Sequence, residues 1–264
     1  MIKVLQKTDA ILGIVARERD KATLSGLSRS LKMHKATLSH ILKALEELGF
    51  VSKNQARCYA VGPRIAELAD GARRLSLLQE IAAEETKSLS GQLRETVSVS
   101  ILRDGIRQRI AFASCSQSVT VAVESAVETR GAPFNTATGR ALMAWQEKKS
   151  LRQVLKQHGL PGAAWGGITS ESELSRVLAG IRRSGIAVWR SEDSQAEALA
   201  VPVFGPDNKA WAAIGLAAPV FRFRGRRRAE VINALKAAGK RMGAALALRG
   251  AGTGHAERNK EASI

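Results

Sequence analysis

LSGLSRSLKMHKATLSHILKALEELGFVSKNQARCY, Leu24 to Tyr59, is the stretch that decides the fold. Between Lys35 and Leu48 its apolar residues are Leu38, Ile41, Leu42, Leu45 and Leu48. Steps of three and four place them on one stripe of an α-helix. Ala36, His40, Lys43 and Glu47 fall on the opposite face, with Thr37 and Ser39 on the flanks. A shorter helical pattern, Leu24, Leu27 and Leu31, precedes it, and only Lys32-Met33-His34 lies between. Two short helices joined by a tight turn, the second polar and basic near its start, predict a helix-turn-helix. Gly49 is a natural residue just past the helix end. Phe50–Lys53 and Arg57–Val61 then predict two short strands around Asn54-Gln55-Ala56, the wing of a winged helix.

The major groove of DNA admits one α-helix, and side chains near its N-terminus reach base edges. His34, Lys35, Ala36, Thr37 and His40 are placed for that. Thr37 and His40 can hydrogen-bond to bases, and Ala36 permits close approach. Lys43 and the wing residues Lys53 and Arg57 suit phosphates, which give affinity without sequence information. For one lysine, a solvated face is the ordinary explanation. For the whole set on one side of a helix-turn-helix, DNA is the better one.

The chain of 264 residues has room for two compact domains, and its 45% hydrophobic content is ordinary for globular proteins. Its formal net charge of +17 is not ordinary and draws it to polyanions. No apolar run approaches a membrane span, and no signal-peptide core opens the chain. A cytoplasmic protein without a membrane partner is expected. Cys58 and Cys115 read as reduced core thiols, with no metal-type spacing to histidines. His34 and His40 lack partnering ligands, so no metal is expected. No nucleophile elbow, Walker loop or zincin motif occurs, and no catalytic residue or cofactor is assigned. His158 reads as a helix-end cation, and Glu192-Asp193 as a solvated loop.

Leu5–Arg19 predicts a first helix, and Thr23 or Ser25 a cap for the next. Beyond the wing, Pro63 opens a helix with Ile65, Leu68, Ala69, Ala72 and Leu75 at helical spacing, and Leu77–Leu93 predicts another. Thr96–Leu102, Ile106–Ala113 and Val119–Val123 read as strands, the first two joined by an Asp104-Gly105 hairpin turn. Thr138–Trp145, Ser150–His158 and Glu171–Ser184 read as helices. Ile186–Trp189, Leu199–Phe204 and Ala210–Ala217 read as strands. The run FRFRGRRR, Phe221–Arg228, precedes a last helix, Ala229–Leu248. Helices bracketing a mainly antiparallel sheet make an α+β sensor fold. The expected domains are a winged helix over 1–62, a linker helix over 63–76, a sensor domain over 77–249 and a disordered tail over 250–264.

Four segments in this order resemble the isocitrate lyase regulator (IclR) family of bacterial transcription factors. They are KATLSHILKALEELGFV (Lys35–Val51), YAVGPR (Tyr59–Arg64), GAPFNTATGRALMAW (Gly131–Trp145) and ALAVPVFGPDNKAWAAIGLAAP (Ala198–Pro219). The likeness covers nearly the whole chain. It implies a GAF-like sensor domain, a linker helix that helps join the DNA-binding heads, and an effector pocket at the segment around Thr138. The family often has glycine where this chain has Lys32.

Asn135–Arg140 opens a helix with small and hydroxyl residues, and a helix N-terminus presents N–H groups suited to a carboxylate. A simple capped helix is the other reading of these residues. With the resemblance, the expected effector-binding residues are Ala137, Thr138, Gly139, Trp189, Ala198, Gly215 and Ala217. Family members that sense small polar acids tend to carry an acidic segment, a cysteine and serines where this chain has Trp189-Arg190-Ser191-Glu192, Glu197-Ala198, Gly215 and Ala217. That departure favours an apolar or aromatic organic acid, or no effector.

The expectation is therefore a regulator binding double-stranded operator DNA as a homodimer or homotetramer, with a small-molecule effector. The alternatives are an enzyme acting on a small organic acid through its second domain, and a nonspecific basic DNA-binding protein.

Overall fold

The computed structural model describes residues 3–114, 130–191 and 195–258, with side chains through Arg249. The chain divides into two units, Met1–Leu75 and Ser76–Ile264. The predicted strand Val119–Val123, Cys115 and the pair Glu192-Asp193 lie outside the described residues.

The first unit holds α1 (Lys3–Glu18), α2 (Leu24–Leu31), α3 (Lys35–Glu47), β1 (Val51–Lys53) and β2 (Tyr59–Val61). Its core is Ile11 and Val15 from α1, Leu27 from α2, Leu38, Leu42 and Leu45 from α3, and Val51 and Tyr59 from the wing. Thr23 caps α2, its hydroxyl accepting from the Gly26 N–H at 3.1 Å. At the end of α3 the Phe50 N–H reaches back to the Leu45 carbonyl at 2.8 Å, with Gly49 at φ 75°. This Schellman closure turns the chain into the wing. β1 and β2 pair antiparallel, Val51 opposite Val61. Asn54 organises the wing tip: its Nδ2 donates to the Asp20 carbonyl at 3.1 Å, and its Oδ1 accepts from the Cys58 N–H at 2.9 Å.

Pro63–Leu93 is a single helix, α4, so the predicted break between Leu75 and Leu77 is absent. The junction Leu75-Ser76-Leu77-Leu78 contains neither glycine nor proline, and nothing there interrupts the hydrogen-bond ladder. The second unit then forms β3 (Thr96–Arg103), β4 (Ile106–Ala113) and β5 (Arg130–Gly131). Helices α5 (Ala137–Ala144), α6 (Lys148–His158) and α7 (Glu171–Ser184) follow. Strands β6 (Ala187–Arg190), β7 (Ala196–Phe204) and β8 (Ala210–Pro219) and the last helix α8 (Gly225–Arg258) complete it. The predicted last helix is thus longer, running past Arg249 into the stretch expected to be a disordered tail. Residues 259–264 lie outside the described residues.

The sheet order is β5-β4-β3-β8-β7-β6, and every neighbouring pair is antiparallel. Successive side chains on a strand face opposite ways, so each long strand feeds two layers. Ala198 and Ala200 of β7 and Ala213 of β8 join the cluster built by α5, α6 and α7. Leu199, Val201 and Val203 are buried on the other face, where α8 packs on β7 and β8. The buried stripe of α8 is Val231, Leu235, Ala238, Met242 and Leu246, spaced by four, three, four and four. Arg241 and Arg249 of α8 pair with Glu85 and Glu84 of α4.

The arginine-rich run at the start of α8 is largely spent inside the fold. Arg222 bonds both oxygens of the nearly buried Glu95 at 3.1 Å. Burial raises the Glu95 carboxyl above its ordinary range, and Arg222 works against that shift. Arg227 donates to the Leu93 carbonyl at 2.7 Å, and Arg228 joins Arg190 on the buried Glu197.

Periodicity gave Leu42 and Leu48 equal standing on the α3 stripe, but Leu42 is fully buried and Leu48 is 64% exposed. Leu42→Ala should remove about 2–5 kcal/mol from the first unit's unfolding transition. Leu48→Ala should stay within about 0.5 kcal/mol of the parent. Urea titration followed by circular dichroism reads both, and equal losses would contradict this burial pattern.

Candidate functional site

The turn of the helix-turn-helix is held from both sides. Lys32 adopts the left-handed conformation (φ 49°, ψ 42°), and its N–H and that of Met33 return to carbonyls of α2. The Ser28 hydroxyl donates to the Met33 carbonyl at 2.6 Å. This fixes where α3 begins. His34 stands at its N-cap position without making a side-chain cap, as its poor capping chemistry predicts.

His34, Lys35, Ala36, Thr37, His40 and Lys43 are all exposed, while Leu38, Leu42 and Leu45 anchor the opposite side. The wing residues Lys53 and Arg57 are exposed too. The Lys53 ammonium lies 5.3 Å from the centre of the Tyr59 ring, a cation–π contact that steadies its stem. Arg57 takes a left-handed turn (φ 58°) beside Asn54, at the wing tip.

In the second unit a cavity of about 40 Å³ opens between the start of α5 and the sheet. Of the residues expected there, Ala137, Thr138, Trp189, Ala198, Gly215 and Ala217 line it. Gly139 does not line it. Its N–H is taken by the capping hydroxyl of Thr136 at 3.1 Å, and a Cβ on it would lie 1.9 Å from the Pro133 carbonyl oxygen. Gly139 allows α5 to pack closely against the Pro133 carbonyl.

Gly215 has a packing reason as well. A Cβ there would stand 2.8 Å from the Thr138 methyl, so glycine lets the start of α5 settle onto β8. Thr138 is buried and donates to the Ser100 hydroxyl at 3.1 Å.

Two lining residues escaped the sequence reading: Arg107 and Arg109 of β4. Arg107 is only 3% exposed and donates to Ser100 Oγ at 3.2 Å. Arg109 stacks on Phe112, its guanidinium carbon 4.6 Å from the ring centre. Burial lowers the pKa of Arg109. A register shift against β3, between Val99 and Ser100, puts one extra residue into β4, so Arg109 opposes Ser100 while Phe112 opposes Ser98. Both therefore face the same side although three residues apart. The signal was present: counting back from the Asp104-Gly105 turn sets Arg107 and Arg109 on the face of Ser98 and Ser100.

Arg140, a buried residue of α5, ties that helix to three other segments. Its Nε donates to the Phe134 carbonyl at 2.8 Å, Nη1 to Val188 at 2.8 Å and Nη2 to Ala164 at 2.9 Å. The guanidinium also lies 4.5 Å from the Trp165 ring centre. Burial pushes its pKa down to about 10, so it stays charged at neutral pH.

A basic winged helix-turn-helix, followed by an α+β domain with an internal cationic cavity, defines a DNA-binding regulator with a small-molecule sensor. The family model for the bacterial transcriptional regulator IclR C-terminal domain matches residues 74–244, and that for the IclR helix-turn-helix domain matches residues 4–55. The chain belongs to the IclR family. It is similar to the HTH-type transcriptional regulator KdgR of Escherichia coli (strain K12), 26% identical over 243 residues and 90% of each chain. It is 30% identical over 237 residues, 89% of each chain, to the HTH-type transcriptional regulator Rv1719 of Mycobacterium tuberculosis. Among solved structures, an IclR transcriptional regulator from Alicyclobacillus acidocaldarius superposes with a TM-score of 0.56 at 26% identity, covering 93% of this chain and 99% of that one. An IclR homologue from Microbacterium hydrocarbonoxydans, complexed with 4-hydroxybenzoate, has the same fold, with a TM-score of 0.54, 19% identity and coverage of 92% and 98%. Among the described residues no helix is long and apolar enough to cross a membrane, and no cluster of His, Cys, Asp and Glu offers a metal site.

Arg140→Lys keeps the charge but loses the planar fork that meets three carbonyls at once. It should cost about 1–3 kcal/mol of stability for the carbonyl bonds left unmade. Thermal unfolding reads the loss, and an unchanged Tm would remove Arg140 from this role.

Proposed function

We propose that α3 reads the operator through Thr37 and His40, that Lys53 and Arg57 hold phosphates, and that the cavity under α5 binds an organic carboxylate. The observation that carries the effector reading is the pair Arg107 and Arg109 beside the Thr136 and Thr138 hydroxyls, with no Asp or Glu among the lining residues. Two guanidinium groups on one wall of a small, partly apolar cavity favour an anion.

The volume narrows the class. About 40 Å³ is well below the roughly 150 Å³ of a cavity that takes benzene, so a short aliphatic acid fits without rearrangement. A ring needs a wall to move, and the half-buried Trp189 side chain on the short strand β6 is the candidate wall. The homologue with 4-hydroxybenzoate supports the view that this fold accommodates a ring. The assembly we propose is a homo-oligomer. Leu68, 49% exposed on α4, is an apolar residue suited to meeting a second copy.

Calorimetric titration of organic acids tests the cavity. Short aliphatic acids should bind the parent protein and lose at least tenfold in affinity on Arg109→Ala, the equivalent of about 1.4 kcal/mol. Aromatic acids should gain affinity on Trp189→Ala. If Arg109→Ala leaves every acid's affinity unchanged, the carboxylate lies elsewhere.

For DNA, Thr37→Ala or His40→Ala should lower preference for operator over random duplex, each base contact contributing about 1–3 kcal/mol. Arg57→Ala should weaken both duplexes alike. Light scattering of the operator complex should show at least two copies of the chain. Intact selectivity in both helix variants would mean that a different face reads the DNA.

A further inference from the structure

We propose that the groove between α1 and the start of α3 is a phosphate cradle for the DNA backbone, formed by Lys3, Lys7 and Lys32. The proposal rests on the reading of α3 as the operator-reading helix and adds α1, which no part of that reading used. The groove is open, about 500 Å³, and Gln6, His34 and Thr37 also line it. No Asp or Glu is among its lining residues.

Each of the three lysines is a poor local choice. Lys3 and Lys7 lie one turn apart on α1, where like charges repel. They also stand in the first turns of a helix whose N-terminal dipole disfavours cations, and that first turn contains no acidic residue. Lys32 occupies a left-handed turn position that glycine would fill with less strain. Three unfavourable choices from two separate segments converge on one groove. Local rules broken together at one place are expected where a ligand supplies the compensation. An anion between the lysines relieves their repulsion, and the groove shares His34 and Thr37 with the proposed reading helix. A duplex whose major groove receives α3 carries its phosphates along that rim. The ligand is therefore a backbone phosphodiester, which contributes affinity without reading sequence.

Fluorescence anisotropy against an operator selected by the protein from random duplexes, and against a scrambled duplex, tests this over about 50–200 mM salt. The Lys3→Ala/Lys7→Ala variant should weaken both duplexes by the same factor and reduce the slope of log affinity against log salt by about 1–2. Lys32→Gly should raise the unfolding temperature while weakening DNA binding, which separates a lost contact from a damaged fold. Lys149→Ala, an exposed lysine of α6, should change neither slope nor affinity. An unchanged slope in the double variant, or Lys32→Gly binding as tightly as the parent, would overturn the cradle. If the parent protein shows no preference for any selected operator, the reading of α3 fails. The salt slopes on the scrambled duplex still decide the cradle. Absence of all DNA binding would overturn both.

Discussion

Arg140 is the constraint on which the frame around α5 depends. One guanidinium takes carbonyls from Phe134, Ala164 and Val188, three segments far apart in sequence. A buried cation is costly unless its donors are satisfied, and here satisfaction fixes geometry. The Val188 bond locates β6, and hence Trp189; the Phe134 bond locates the turn that leads into α5. Gly139 and Gly215 then allow the backbone of α5 to close on that frame. The cavity is what remains when helix and sheet cannot approach further.

The position of charge explains what composition could not. A formal charge of +17 says only that the chain favours polyanions. The most conspicuous basic run, Phe221–Arg228, gives three of its arginines to Glu95, Glu197 and the Leu93 carbonyl. Those groups hold the start of α8 to the sheet and to α4. The exposed cations of the helix-turn-helix unit are arranged differently. Lys53 and Arg57 stand at the wing, Lys35 and Lys43 are exposed on α3, and Lys3, Lys7 and Lys32 line the groove beside α1, while Arg17, Arg19, Lys21 and Arg29 are exposed elsewhere on the unit.

Much of this was legible in the sequence because the governing interactions are local. The α3 stripe, the Thr23 cap, the Asp104-Gly105 turn and the helix Glu171–Ser184 each follow from neighbours within a few residues. Leu48 was misplaced in the stripe's burial because its position at the helix end turns it outward, a fact of tertiary packing. The division of α4 into two helices failed because a domain boundary need not break a helix. That Gly139 lies off the cavity lining was not legible, because its close neighbour, the Pro133 carbonyl, and its capped N–H are features of three-dimensional approach. Arg107 and Arg109 were within reach of strand counting, but their importance depends on α5 closing over them.

The register shift in β4 gives that strand an uneven tolerance of length. Ser98 faces Phe112 and Ser100 faces Arg109, so two residues, Ile110 and Ala111, stand where regular pairing needs one. Loss of either leaves a regular ladder with Arg107, Arg109 and Phe112 still on the cavity side. Loss of a residue between Arg107 and Arg109 instead puts the two arginines on opposite sides of the sheet. Divergence by single-codon deletion is therefore channelled: the strand can shorten at its bulge and keep its charges in place, but nowhere between them.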